Sequence, residues 1–211
     1  THRLLENLKA AGLNEGDIDY VILSHLHFDH AGGLLPTWTD QQNGRQDLLF
    51  PNAKYVVSKV AFERAANPHT RDRASFIPGL CDKLQASGRL ILIDGPTHPA
   101  VLPDQISFYY THGHTPGHMH TIARSASGSI VFAGDLIPGQ AWLHLPITMG
   151  YDRFPEQLID EKSAFYDHFS NSSTWVFYTH DPKFAMSHIQ KDASSRFVAY
   201  DSLQNPVRKL I

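Results

Sequence analysis

Cysteine is almost absent: Cys81 is the single thiol in 211 residues, so no internal disulfide can form. That excludes a small disulfide-stapled fold and agrees with a reducing compartment, the cytoplasm being the expected location. Long apolar runs are missing too, and no segment approaches the roughly 18 to 20 residues that cross a bilayer as a helix, so no membrane partner is expected. Charge of one sign is equally scarce, with 18 Lys and Arg against 21 Asp and Glu and no basic block. The electrostatic footprint of a nucleic-acid binder is therefore lacking, and a small-molecule partner is expected instead. There is no internal repeat, low-complexity tract or linker. A chain of this length suits one large domain, and a single domain over 1–211 is the expectation.

Histidine, by contrast, is abundant. HGHTPGHMH (112–120) packs four histidines around one Pro-Gly turn, and HLHFDH (25–30) places His25, His27, Asp29 and His30 within six positions. Taken singly, each is an ordinary polar side chain of a folded domain. Together, four ligand-type residues after a buried strand point to metal binding. In an extended segment His25, His27 and Asp29, each two apart, leave on one side while His30 points elsewhere, which can serve two adjacent metals.

Periodicity supplies the frame. Residues 2–11 read as an amphipathic helix, 18–24 as a buried strand, 53–58 as a strand, 60–66 and 78–87 as helices, and 89–94 as a strand. A local antiparallel meander follows in 105–111, 120–126 and 129–134, with Ser127-Gly128 as a hairpin turn. Residues 155–170 read as a helix starting at Pro155, and 174–179 as a strand delivering His180. The proline-bearing stretches 94–103 and 136–146 read as surface loops.

His25 to His30 match in full the HxHxDH signature of the metallo-β-lactamase superfamily, which the sequence resembles. The likeness continues in chain order through THGHTPGH (111–118), VFAGDLI (131–137) and VFYTHD (176–181). The resemblance implies an α/β fold, the αββα sandwich of two mixed sheets with helices outside. Its usual N-terminal strands are not found in this chain, so the natural protein is expected to extend upstream of Thr1. The resemblance also implies the ligands: His25, His27 and His114 for one metal, Asp29, His30 and His180 for the other, and Asp135 bridging. His112 stands where the family usually has proline, and His118 and His120 are expected not to bind metal.

Two divalent cations are the implied cofactors. Imidazole and carboxylate ligation suits zinc, with Mn, Fe or Co also compatible. A bridging hydroxide would then act as nucleophile. Two dications, two carboxylates and one hydroxide sum to +1, which favours a transition state gaining negative charge. Asp29 and Asp135 are the expected catalytic carboxylates, Asp29 by passing a proton to a leaving alkoxide. The chain is thus expected to be a metal-dependent hydrolase.

HLHFDHAGG, GHTPGH and GDLIPGQAWLHLPITMGYDRFP are most similar to the lactonase-like branch and to methyl parathion hydrolase. Asp135 stands where one β-lactamase class has cysteine. Pro138 stands where the best-known homoserine lactonases have tyrosine, so that contact is either absent or supplied by another group such as Tyr151 or His144. Phe28, Trp38, Trp142, His144, Met149 and Tyr151 are the expected substrate-binding residues. Opening of a lactone or related ester is the leading expectation; an organophosphate triesterase, a glyoxalase II-like thioesterase and a non-catalytic metal-binding scaffold are the rivals. Dimers are common in related lactonases, and by that analogy alone a homodimer is compatible with this chain.

Overall fold

The computed structural model describes residues 2–95 and 97–206; Thr1, on which the expected upstream extension bears, lies outside them, as does Pro96 of the 94–103 loop. The chain divides into two compact units, Thr1–Gly95 and Pro96–Ile211, and its class is mixed α/β.

In the first unit, α1 (Arg3–Ala10) is capped by His2, whose Nδ1 accepts the Leu5 N–H at 3.4 Å. Three parallel strands follow, β1 (Tyr20–Ile22), β2 (Lys54–Ser58) and β3 (Leu90–Ile93), in that order across the sheet. Parallel neighbours need crossovers. Helices α2 (Phe28–Ala31) and α3 (Trp38–Gln42) lie on the first, and α4 (Lys59–Ala66) and α5 (Leu80–Ala86) on the second. The middle strand is flanked on both sides, so Tyr55, Val56 and Val57 are fully buried. Tyr55 and Val57 join Leu26, Leu34, Phe50, Phe62 and Leu84 in the unit's core. β1 is shorter than the expected 18–24, although the Leu23 N–H still reaches the Val56 carbonyl at 2.8 Å.

The second unit is a six-stranded sheet in chain order: β4 (Ile106–Thr111), β5 (His118–Ser125), β6 (Gly128–Phe132), β7 (Thr174–Phe177), β8 (Met186–Lys191) and β9 (Phe197–Leu203). Only β6 and β7 run parallel, joined by the crossover helix α6 (Pro155–Phe169). Leu158, Phe165, Tyr166 and Phe169 of that helix share a core with Ile122, Val131, Val176 and Ile189. β5 begins two residues before the expected start and takes in His118. The hairpin turn is Ala126-Ser127, one residue earlier than read, because Ser125 pairs with Gly128.

Segment 136–146 is not the surface loop its prolines suggest. Leu136, Ile137 and Leu143 are buried in the second core, and a 3-10 turn spans Gln140–Trp142. Two ammonium and hydroxyl donors of α6 replace the water such a backbone would otherwise need. Lys162 Nζ donates to the Trp142, His144, Leu145 and Ile147 carbonyls, and the Tyr166 hydroxyl to that of Leu143.

Candidate metal centre

In the first unit, a tight histidine group lies just beyond β1. The buried His25 ring lies 4.4 Å from that of His27 and 4.2 Å from that of His30, centroid to centroid. His27 is extended (φ −63°, ψ 151°) and its carbonyl accepts the N–H groups of His30 at 3.0 Å and Ala31 at 2.9 Å. Those bonds start α2. The extended spacing expected for His25, His27 and Asp29 therefore stops at His27, and Asp29 and His30 leave from a helical turn instead. His25 and His27 offer ligand nitrogens within 4.8 Å of one another, and so do the ligand atoms of Asp29 and His30. The Asp29 side chain is 39% exposed.

In the second unit, His114, Asp135 and His180 come together. Asp135 follows β6, His180 follows β7, and His114 stands in the turn between β4 and β5. Asp135 Oδ2 lies 3.3 Å from His114 Nε2, and its Oδ1 lies 3.3 Å from His180 Nε2. His114 Nδ1 is 2.8 Å from Asp152 Oδ1. With Nδ1 turned to Asp152, Nε2 is the ring atom that faces the Asp135 carboxylate, and a ring nitrogen beside a carboxylate oxygen is a pair a divalent cation can use. The donor set of imidazole and carboxylate thus fits a divalent metal.

Around these ligands lies a directed hydrogen-bond chain. His120 Nδ1 donates to the Phe132 carbonyl at 3.2 Å, the Thr111 hydroxyl donates to His120 Nε2 at 2.8 Å, and His118 Nδ1 donates to that hydroxyl at 3.3 Å. His118 Nε2 in turn accepts the Asp135 N–H at 3.4 Å. Only neutral rings satisfy every member. Burial accordingly pushes the His120 pKa down to about 4, against the raising effect of its backbone bonds. Gly134 makes room for this chain: at φ +51°, a Cβ there would stand 2.3 Å from His118 Nε2.

Asp181 steadies the segment carrying His180 by accepting the N–H groups of Gln140, Lys183 and Phe184. Burial raises its pKa, but these three bonds outweigh that and hold it below the ordinary value. Thr179 Oγ1 lies 3.2 Å from the Gly134 carbonyl and 3.3 Å from Asp135 Oδ1, able to donate to either.

The expected substrate-binding residues scatter more widely. Tyr151 is exposed with its ring 6.0 Å from that of His114, and its hydroxyl donates to Met149 Sδ at 2.8 Å. Phe28 and Trp38 are exposed on α2 and α3. Trp142 packs against the second core, and His144 lines a cleft with Asp192, Arg196 and Phe197. Asp152, Thr179 and the His118–Thr111–His120 chain are additions that the motif reading did not assign as a unit.

The fold and the candidate ligands agree with a metal-dependent class. The chain belongs to the metallo-beta-lactamase superfamily, whose model matches residues 1–180. It is 32% identical over 134 residues to the N-acyl homoserine lactonase AiiA of Bacillus thuringiensis subsp. kurstaki, covering 63% of this chain and 44% of that protein. The chain thus spans less than half the length of the curated relative. Among solved structures, AidC, a dizinc quorum-quenching lactonase, superposes with a TM-score of 0.77 at 26% identity, covering 96% of this chain and 70% of AidC. A probable metal-dependent hydrolase from Staphylococcus aureus superposes with a TM-score of 0.79 at 25% identity, covering 98% and 69%. Among the described residues, no helix is long and apolar enough to cross a membrane.

Proposed function

We propose that this chain carries the active site of a metal-dependent hydrolase that opens a lactone or cleaves a related ester, in the manner of the quorum-quenching lactonases it resembles. The observation that carries this reading is the Asp135 carboxylate, whose two oxygens each face a different imidazole Nε2 at 3.3 Å. A carboxylate divided in this way suits a ligand shared by two cations. On this reading His25, His27 and His114 bind one cation, Asp29, His30 and His180 the other, and Asp135 both, so that 1–211 works as one catalytic domain. Zinc is favoured by the ligand types and by the dizinc relative, while Mn, Fe or Co can use the same set.

Bound, such cations supply Lewis acidity and bring the pKa of water near neutrality. The chain's own groups arrange the rest. Asp152 fixes the His114 tautomer, and the His118–Thr111–His120 chain fixes the Asp135 backbone. On this reading Asp29, whose side chain is 39% exposed, would pass a proton to the leaving alkoxide. Tyr151 offers an exposed aromatic wall beside His114 for the apolar part of a small substrate.

Metal-reconstituted protein, assayed against lactones, phosphotriesters, glutathione thioesters and a cephalosporin beside Asp135→Ala, tests this. Lactones are expected to turn over fastest, with a loss of roughly 100-fold or more in Asp135→Ala. Full activity in Asp135→Ala would sink the shared-ligand reading, and preference for another ester class would replace the substrate.

A further inference from the structure

We propose that Glu161 and Lys162, neighbours on α6, are positioning residues that jointly fix the His114 imidazole; the proposal rests on His114 being a metal ligand. Glu161 holds the backbone that carries the ring. Its Oε1 accepts the His112 N–H at 2.7 Å and its Oε2 the Gly113 N–H at 2.8 Å. The turn is pressed against the helix, since a Cβ on Gly113 would lie 2.5 Å from the Leu158 Cα. From the start of the same helix, the Phe154 N–H reaches the Gly113 carbonyl at 2.8 Å and the Arg153 N–H that of His114 at 3.2 Å.

Lys162 holds the segment that supplies the ring's partner. Its fully buried ammonium donates to the carbonyls of Trp142 (2.6 Å), His144 (3.0 Å), Leu145 (3.2 Å) and Ile147 (3.0 Å). Four acceptors for three protons leave one proton shared. Burying an ammonium is costly and an apolar side chain would fill the volume, so the gathered carbonyls are what this lysine contributes beyond packing. Burial lowers its pKa to about 8, with Asp152 pulling it back up, and it stays charged at neutral pH. The gathered segment runs on to Met149, whose N–H donates to Asp152 Oδ2 at 2.6 Å, while Asp152 Oδ1 takes His114 Nδ1. One helix thus sets both the ring's backbone and its carboxylate.

Glu161→Gln, Lys162→Met and the exposed control Glu156→Gln test this, with His114→Ala as reference. Two readouts serve: the ¹H–¹⁵N signal of the His114 Nδ1–H in metal-free protein, and the zinc Kd from chelator competition. Glu161→Gln and Lys162→Met are expected to shift or broaden the imidazole signal and raise the Kd roughly tenfold, the low end for groups that orient a ligand. Glu156→Gln is expected to do neither. Glu161 is only half-buried, so Glu161→Gln decides the matter if Lys162→Met does not fold. An unchanged signal and Kd in a folded variant overturn that residue's part. If His114→Ala binds zinc as tightly as the parent, the ligand assignment fails and takes the proposal with it.

Discussion

Asp152 Oδ1 lies 2.8 Å from His114 Nδ1, with both side chains fully buried. The other carboxylate oxygen of Asp152 accepts the Met149 N–H at 2.6 Å, so the group is anchored while it orients the ring. Asp152→Ala removes both bonds and is expected to weaken metal binding by about 10–100-fold. Asp152→Asn keeps one acceptor but sets an amide N–H₂ against either His114 Nδ1–H or Met149 N–H. Its loss should be smaller than that of alanine and larger than zero. Chelator competition on the folded variants ranks the three proteins, and equal affinities would remove Asp152 from the site.

Gly134 and His118 make a second close relationship. An alanine at 134 combines a left-handed φ of +51° with a Cβ 2.3 Å from His118 Nε2. Strain at such a position costs on the order of 1–3 kcal/mol, and the overlap adds to it by displacing the ring that accepts the Asp135 N–H. Gly134→Ala is expected to lose at least that much stability in urea unfolding and most of its hydrolytic activity. Gly12 is also left-handed, at φ +78°, but has nothing within 4 Å of an added Cβ. Gly12→Ala should therefore cost only the backbone strain and spare activity.

The candidate ligands were legible because each sits in a short local pattern at the end of a strand: HLHFDH, GHTPGH, GDL and YTHD. What supports those ligands was less so, because it lies far along the chain. Asp152 meets His114 across 38 positions, and Glu161 meets His112 across 49. Neither pairing leaves a trace in spacing. Lys162 did leave one: it falls on the apolar stripe of α6 with Leu158, Phe165, Tyr166 and Phe169, where a charge is out of place. β8 and β9 went unread because MSHIQK and FVAYDSL mix polar residues with few β-branched ones, and their pairing is broken by a bulge between Met186 and His188. His120, expected not to bind metal although it sits in the larger histidine cluster, has its two nitrogens on Thr111 and the Phe132 carbonyl.

That placement gives His120 a pH signature. Its folded pKa is pushed down to about 4 by burial, against 6.5 for an ordinary histidine. Between those values the unfolded chain takes up a proton that the folded one refuses, so stability is full above about pH 6.5 and falls as the pH drops towards 4. The loss from this residue is on the order of 3 kcal/mol. Urea midpoints of metal-free protein from pH 7 to 4.5 should fall, and His120→Gln should flatten part of that slope. A parallel decline in both proteins would assign the acid sensitivity to other groups.

Metal itself should act as a folding ligand. A cation that binds the folded chain and not the unfolded one stabilises it by about 2.7 kcal/mol at 100 times its Kd. For a domain of this size that is worth roughly 5–10 °C in Tm. Zinc added to metal-free protein is expected to raise Tm by that amount, and EDTA to reverse it. Asp135→Ala should keep only part of the shift, because Asp135 is the carboxylate that faces both His114 and His180. His188→Gln should keep all of it, since the His188 ring is tied to the Thr174 carbonyl at 2.7 Å and packs at a tilt against Trp175. If His188→Gln lost the zinc response while Asp135→Ala kept it, the cation would be bound elsewhere in the second unit.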